Sequence, residues 1–199
     1  EFRRVLFRSP RPKTYDQSGL LDAAMEHFWQ RGYEKTSIGE LVADIGVNRA
    51  SLYAAFPDKR ALFLAVVERY LSTRTRDNLE RLRRKEPAAD AIRSFFAEIL
   101  SSRASSRRGC LVTNSAVEFG VSDERVARLV RKAMSRVEET LAARLQQVAD
   151  AGCLAKGVTP EQYARHLTVF LQGLRVMSRA GVPLTTLRNA MDSALWAIE

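Results

Sequence analysis

At 199 residues, with 46% hydrophobic and 28% charged side chains, the chain has the size and composition of one large or two small soluble domains with a real core. No apolar run approaches the roughly 20 residues that a bilayer-crossing helix needs, which excludes a helical membrane protein, while a net charge of +9 admits a nucleic-acid partner without specifying one. Two cysteines 43 positions apart and no signal-peptide pattern fit a reducing, cytoplasmic setting, and the absence of HExxH, GxGxxG, GxSxG and CxxC leaves no expected catalytic residue, cofactor or metal site.

In chain order, "EFRRVLFRS" (1–9) resembles translated cloning adapter and is set aside as a non-native tail, the alternative being a genuine basic arm. Residues 10–60 then read as one domain and 61–199 as a second. In "PRPKTYD", Arg11 or Lys13 is placed either to reach a minor groove or to make no contact at all. Apolar spacing at three and four residues recurs from Leu20 almost to the end, so the fold class is all-α. Helix 1 spans about Asp16 to Arg31, burying Leu20 or Leu21, Ala24 and Phe28, and Gly32 stops it. Thr36 or Ser37 caps helix 2, whose stripe is Ile38, Leu41, Val42 and Ile45, and Gly46 ends it after barely two turns.

Asn48 is placed to cap a third helix running to about Phe56, with Leu52 and Phe56 inward, Arg49, Ala50, Ser51 and Ala54 outward or sideways, and Tyr53 at the boundary. Two short helices joined by a glycine turn, the second showing small and polar groups outward, make a helix-turn-helix, which sets its second helix in a major groove. There Arg49 can donate in a fork to guanine, and Ser51 can bond a base or a phosphate. Asp58 caps the next helix, and Lys59 in its first turn suits a phosphate. Residues 10–60 hold seven basic and seven acidic side chains, whereas 61–110 hold eleven against six, so bulk charge supports this reading only weakly.

The stretches "GYEKTSI" (32–38), "LVADIGV" (41–47), "LYAAFPDK" (52–59) and "LF" (62–63) resemble the N-terminal domain of TetR-family transcriptional regulators. The resemblance implies a homodimer with an N-terminal three-helix DNA-binding domain and a larger helical domain that binds a small effector and dimerises, about nine helices in all. Carried to this sequence, it implies phosphate contacts from Thr36, Tyr53 and Lys59 and base-edge contacts from Arg49, Ala50 and Ser51. Ser37 and Asn48 complete the expected DNA-binding set. Asn48 stands where the family more often has serine, Ala55 where a histidine often sits, and Gly39 offers no side chain to a groove, so readout by helix 2 is in doubt and specificity rests on Arg49.

Past Lys59 the helices lengthen. Helix 4 runs to about Lys85 with Leu62, Phe63, Val66, Val67 and Tyr70 inward. Pro87 breaks the chain before helix 5, whose stripe is Ile92, Phe95, Phe96, Ile99 and Leu100, and 101–108 is a serine- and arginine-rich loop. "GCLVTNSAVEFG" is helix 6. Helix 7 starts near Asp123 with Val126, Leu129, Val130, Ala133, Val137, Leu141 and Leu145. Helix 8 carries Leu167, Phe170, Leu171, Leu174 and Met177, and helix 9 carries Leu187, Met191, Ala194, Leu195 and Ile198. Helices 8 and 9 are apolar over so much of their surface that pairing with a second copy in a four-helix bundle is expected. The partners are then a near-palindromic double-stranded operator, a second copy of the chain and an unidentified small effector, with no membrane.

Cys110 follows Arg107, Arg108 and Gly109 at a helix start, where cations and free N–H groups favour the thiolate. "GCLVTN" also resembles a cysteine-containing, electrophile-sensing subset of the family, which implies sensing by this thiol, whereas a free cysteine commonly just fills space. Asn114 either orients a ligand or satisfies a carbonyl. Phe96, Phe119, Phe170 and Met177 are candidate walls of a pocket with Cys110 and Asn114, or simply core, and Cys153 is expected to be exposed and incidental. The function expected is repression relieved by an effector that shifts helix 4. The alternatives are a helical dimeric interaction module without DNA binding, and a small helical enzyme, for which His166 lacks a recognisable partner.

Overall fold

The computed structural model describes residues 17–84, 87–101 and 108–198. The tail at 1–9, Arg11, Lys13 and Arg107 therefore lie outside the described residues. Among these residues there are nine helices and one isolated antiparallel bridge. They are α1 (Gln17–Arg31), α2 (Ile38–Ile45), α3 (Arg49–Ala55), α4, α5 (Ala88–Ile99), α6 (Leu111–Phe119), α7 (Glu124–Asp150), α8 (Pro160–Arg179) and α9 (Leu184–Ala194). Helix α4 comprises Lys59–Tyr70, a π-turn at Leu71–Thr75 and Arg76–Arg84.

Side chains fix where these helices begin. Ser37, Asn48, Asp58, Asp123 and Thr159 are N-caps whose oxygens accept from backbone N–H groups of the first turn. Of the two caps that the sequence offers for α2, Ser37 is the one used. Gly46 closes α2 at φ 73°, a left-handed conformation that glycine adopts without steric cost, so α3 can start three residues later, at Arg49. The π-turn in α4 has a local cause: the Ser72 and Thr73 hydroxyls both donate to the Arg69 carbonyl and so compete with the α-helical ladder.

Helix α9 stops at Ala194, short of the expected Ile198. Leu195 and Ile198 are still buried, but Ile198 sits in the bridge to Leu154, and Ala155 N–H donates to Ala197 carbonyl at 2.9 Å. The bridge satisfies backbone groups that a further helical turn would have satisfied, and it pins the chain end to the α7–α8 loop.

Two hydrophobic cores result. One joins Leu79 and Leu82 to α5, the second half of α7, α8 and α9. The other is built on α1 to α4, yet it also takes Cys110, Leu111 and Val112 from the start of α6 and Val126, Val130 and Ala133 from the first half of α7. Phe63, 1% exposed, is at its centre: it meets Phe28 and Tyr33 edge-on and stacks on Phe119 at 5.1 Å. The N-terminal helices thus complete their core with side chains from α6 and α7.

Candidate functional site

Helix α3 has a single buried side chain of its own, Leu52 at 2% exposure, and Phe56 at its C-cap is the second prop. Seven residues held by two side chains leave Arg49, Ala50, Ser51, Tyr53, Ala54 and Ala55 exposed. The Asn48 side-chain Oδ1 accepts from Ser51 N–H at 2.6 Å, so one end of that amide holds the helix start. The Arg49 guanidinium lies 5.9 Å from the Tyr53 ring centre and has no carboxylate among the described residues. Small side chains beside one free cation form a ridge suited to a groove about 12 Å wide.

The flanking candidates are arranged differently. Ser37 is exposed, with its hydroxyl oxygen taken by Glu40 N–H at 3.0 Å. Lys59 Nζ sits 4.3 Å over the Tyr33 ring and donates to Glu34 carbonyl, which holds a positive charge at the edge of the α1–α2 turn. Thr36 is only 1% exposed, and its hydroxyl donates to Gly32 carbonyl at 2.6 Å. In this conformation Thr36 locks the turn and presents no free donor at the surface, because the turn's orphan carbonyl is the nearer partner.

The second feature is a cleft lined by side chains of α1, α4, α5, α7 and α8 and by the start of α6. Its inner end, beside Cys110, Val112 and Val137, has about 20 Å³ of space, room for roughly one water. Its outer part, lined by Trp29, Tyr70, Phe95, Glu98, Arg175 and Ser178 among others, opens to about 370 Å³, within the range of small-molecule sites. Cys110 is 5% exposed and lines both. Burial pushes its thiol up, but the Arg175 charge and hydrogen bonds with Thr113 and Tyr70 outweigh that, and the thiol lies below its ordinary value. The Tyr70 hydroxyl donates to Cys110 Sγ at 3.6 Å, and burial raises Tyr70 well above the usual phenol range.

Among the described residues, the cation that favours the Cys110 thiolate is Arg175, from α8. Arg108 is engaged elsewhere, with its Nη1 2.5 Å from Glu26 and its guanidinium 4.7 Å from the Trp29 ring centre. Nor are the other expected wall residues in the cleft. Phe96 is fully buried and packs on Phe170 in the C-terminal core. Phe119 belongs to the aromatic cluster around Phe63. Asn114 donates to Arg108 carbonyl at 3.1 Å, the plain alternative for that residue, and Met177 is 48% exposed on the far side of α8. Helical spacing places them all near the right helices but on other faces. Cys153 is half-buried against the C-terminal core rather than exposed.

The residues that do line the cleft were legible in one respect. Gln172 and Arg175 interrupt the buried face of α8 beside Leu167, Leu171 and Leu174, at the spacing that puts them on one side. Polar groups facing inward at three- and four-residue steps mark a cavity wall more often than a packed core.

Helix α6 ties the cleft to the N-terminal helices at both ends. At its start, Trp29 Nε1 donates to Gly109 carbonyl at 3.1 Å, and Arg179 donates to the carbonyls of Arg108 and Trp29. At its end, the Glu118 carboxylate accepts from the N–H groups of Tyr33 and Glu34 at 2.9 and 2.8 Å. Beside it Arg60 pairs with Asp123, the N-cap of α7, at 2.5 Å.

Comparison with known proteins places these features in a family. Residues 20–66 match the description "Bacterial regulatory proteins, tetR family", and residues 88–194 match "Tetracyclin repressor-like, C-terminal domain". The HTH-type transcriptional repressor ComR of Escherichia coli (strain K12) is 30% identical over 188 residues, 93% of this chain and 90% of ComR. The uncharacterized HTH-type transcriptional regulator YezE of Bacillus subtilis (strain 168) is 29% identical, covering 95% and 99%. Among solved structures, a cysteine mutant of the TetR family regulator CifR, complexed with 26 bp double-strand operator DNA, superposes with a TM-score of 0.80 at 28% identity over 94% of this chain and 99% of that one. Reduced E. coli NemR shares the fold, with a TM-score of 0.81 at 22% identity over 92% and 96%.

Proposed function

The chain belongs to the TetR family of bacterial regulatory proteins, and from that premise we propose that it is a repressor that binds a near-palindromic operator as a homodimer and is released by a small or thiol-reactive effector. The observation that carries the DNA half is α3: a seven-residue helix with two props, an outward ridge of small side chains and an Arg49 free of any carboxylate among the described residues. In this reading Arg49, Ala50 and Ser51 meet base edges, while Ser37, Asn48, Tyr53 and Lys59 position the backbone. Thr36 serves the same surface by holding the turn. The named relatives are regulators, and no reaction is assigned to the chain. No helix among the described residues is long and apolar enough to cross a membrane, and we place the protein in the cytoplasm with its operator.

Pairing through α8 and α9 is supported by what their outer faces expose. Val169 (69%), Val176 and Met177 on α8, with Trp196 (64%) just past α9, form apolar surface that one copy does not cover. A second copy related by a two-fold axis covers the same patch on both and sets two α3 helices on one duplex.

Release needs an effector that favours one arrangement of the N-terminal helices over another. Helix α6 is the natural carrier, because Cys110 begins it at the cleft while Glu118 and Phe119 end it against the α1–α2 turn. Modification of Cys110, already crowded at 5% exposure, or a ligand beside it, displaces the helix start that Trp29 holds. Selection of bound duplexes from a random pool tests the DNA half, and an inverted repeat is the expected product. For the thiol half, Cys110→Ser is expected to remain bound to the operator when quinone or peroxide releases the native protein; equal release of both rules the thiol out as the sensor.

A further inference from the structure

The outer cleft holds charge and hydrogen-bonding capacity that the protein does not use. Arg81 and Glu98 on its rim are 3.8 Å apart and offset one another, which leaves Arg175 as an uncompensated cation among the described lining residues. Arg175 is half-buried on α8 and makes no ion pair or hydrogen bond among the described residues. One turn further along α8, Ser178 lines the same cleft at 3% exposure, and its hydroxyl has no hydrogen-bond partner among the described residues. A buried hydroxyl left without a partner is destabilising until a ligand supplies one. The wall across from them is aromatic: Trp29 and Tyr70, edge to face at 5.1 Å, and Phe95.

We propose that this cleft is a receptor site for a small arylalkyl carboxylate, its carboxylate held by the Arg175 guanidinium and the Ser178 hydroxyl and its ring against Trp29, Tyr70 and Phe95. The planar fork of arginine matches a carboxylate with two parallel hydrogen bonds, an arrangement that a neutral amide or alcohol cannot reproduce. About 370 Å³ accommodates such a molecule, whereas the 20 Å³ inner end beside Cys110 does not, so the ligand stops short of the inner chamber. A bound anion also adds negative charge beside Arg175, the cation that favours the Cys110 thiolate, and so disfavours that thiolate. The inference rests on the regulator reading only for what the ligand does to operator affinity; binding itself is independent of DNA.

The test is calorimetric titration of the full chain, without DNA, using 4-phenylbutyrate and its neutral counterpart 4-phenylbutanamide. The acid is expected to bind at least about tenfold more tightly than the amide, the worth of a hydrogen-bonded charge pair. Arg175→Met is expected to abolish that preference while leaving amide binding within about twofold, and Arg175→Lys to restore part of it. Ser178→Ala, a smaller change, is expected to weaken the acid by a few-fold. Alkylation of Cys110 by iodoacetamide, followed by mass spectrometry, should slow in the presence of the acid and not of the amide. Equal affinity for acid and amide, undiminished acid binding by Arg175→Met, or no saturable acid binding overturns the proposal. If the acid binds as described but leaves operator affinity unchanged, the site stands and effector release fails; if no acid binds while an operator is still selected, the reverse holds.

Discussion

The two cores of this molecule are put together differently. The C-terminal one closes largely on itself: its buried side chains come from the end of α4, from α5, α7, α8 and α9, and from Leu100 and residues 195–198 beside them. The N-terminal one does not: without Cys110, Leu111, Val112, Val126, Val130 and Ala133 from α6 and α7, one side of α1 and α4 would be bare. A self-sufficient domain insulates its surface from events elsewhere, whereas a core that borrows one wall responds when that wall shifts. The borrowed wall starts at the cysteine on the cleft and ends at the carboxylate that clamps the turn before α2. The packing therefore does not divide at residue 60: one core joins α1 to α4 with α6 and the first half of α7.

This contrast can be broken at its strongest point first. Phe63→Ala removes a fully buried ring that meets Phe28, Tyr33 and Phe119, and is expected to cost about 3–5 kcal/mol. Because α7 runs through both cores, thermal unfolding followed by circular dichroism should move as one transition; two separate transitions, with the C-terminal one unchanged, would show the cores to be independent.

Arg49→Ala leaves both cores intact and is expected to cost about 1–3 kcal/mol of operator binding, relaxing one base position in a competition with singly substituted duplexes. Equal weakening on specific and random DNA would count against base contact. Glu118→Ala tests the borrowed wall directly: with water able to replace an exposed acceptor, the expected stability loss is only about 1 kcal/mol. Its effect on function should be larger in kind, making operator affinity in gel shifts insensitive to modification of Cys110. Lys59→Ala should weaken all sequences alike and lower the slope of log affinity against log salt by about one. The smallest effect is in acid. Arg60 and Arg69 hold the carboxyls of Asp123 and Asp22 below the ordinary value of 3.8, mainly by hydrogen bonds. Both pairs therefore contribute fully at neutral pH and lose that contribution as pH falls below about 4. Asp123→Asn should flatten this part of a stability profile measured by urea unfolding.

Much of the fold was readable in advance because local signals and tertiary demands agree. The caps Asn48 and Asp58, the left-handed Gly46 and the stripes of α4 to α8 all mean the same thing in isolation and in the folded chain. The end of α9 was not readable, since Leu195 and Ile198 continue the helical spacing and only a distant bridge to Leu154 stops the helix. The α3 ridge was legible from the paucity of apolar residues on it. Of the cleft, only the polar pair Gln172 and Arg175 on α8 left a local signal, since spacing along one helix cannot say which neighbour its faces meet: Phe119 and Met177 lie on the helices that carry Cys110 at a start and Arg175, and point elsewhere. Arg175 lies 65 positions from Cys110, and nothing in either local sequence joins them.

The account depends most on two copies of α3 reading one duplex. Selection from a random duplex pool, repeated with Arg49→Ala, measures this directly. The account predicts an inverted repeat whose half-sites lie about one helical turn apart, with preference lost at one symmetric pair of positions in the variant. Enrichment of no sequence, or of a single unrepeated half-site that Arg49→Ala leaves unchanged, would contradict it.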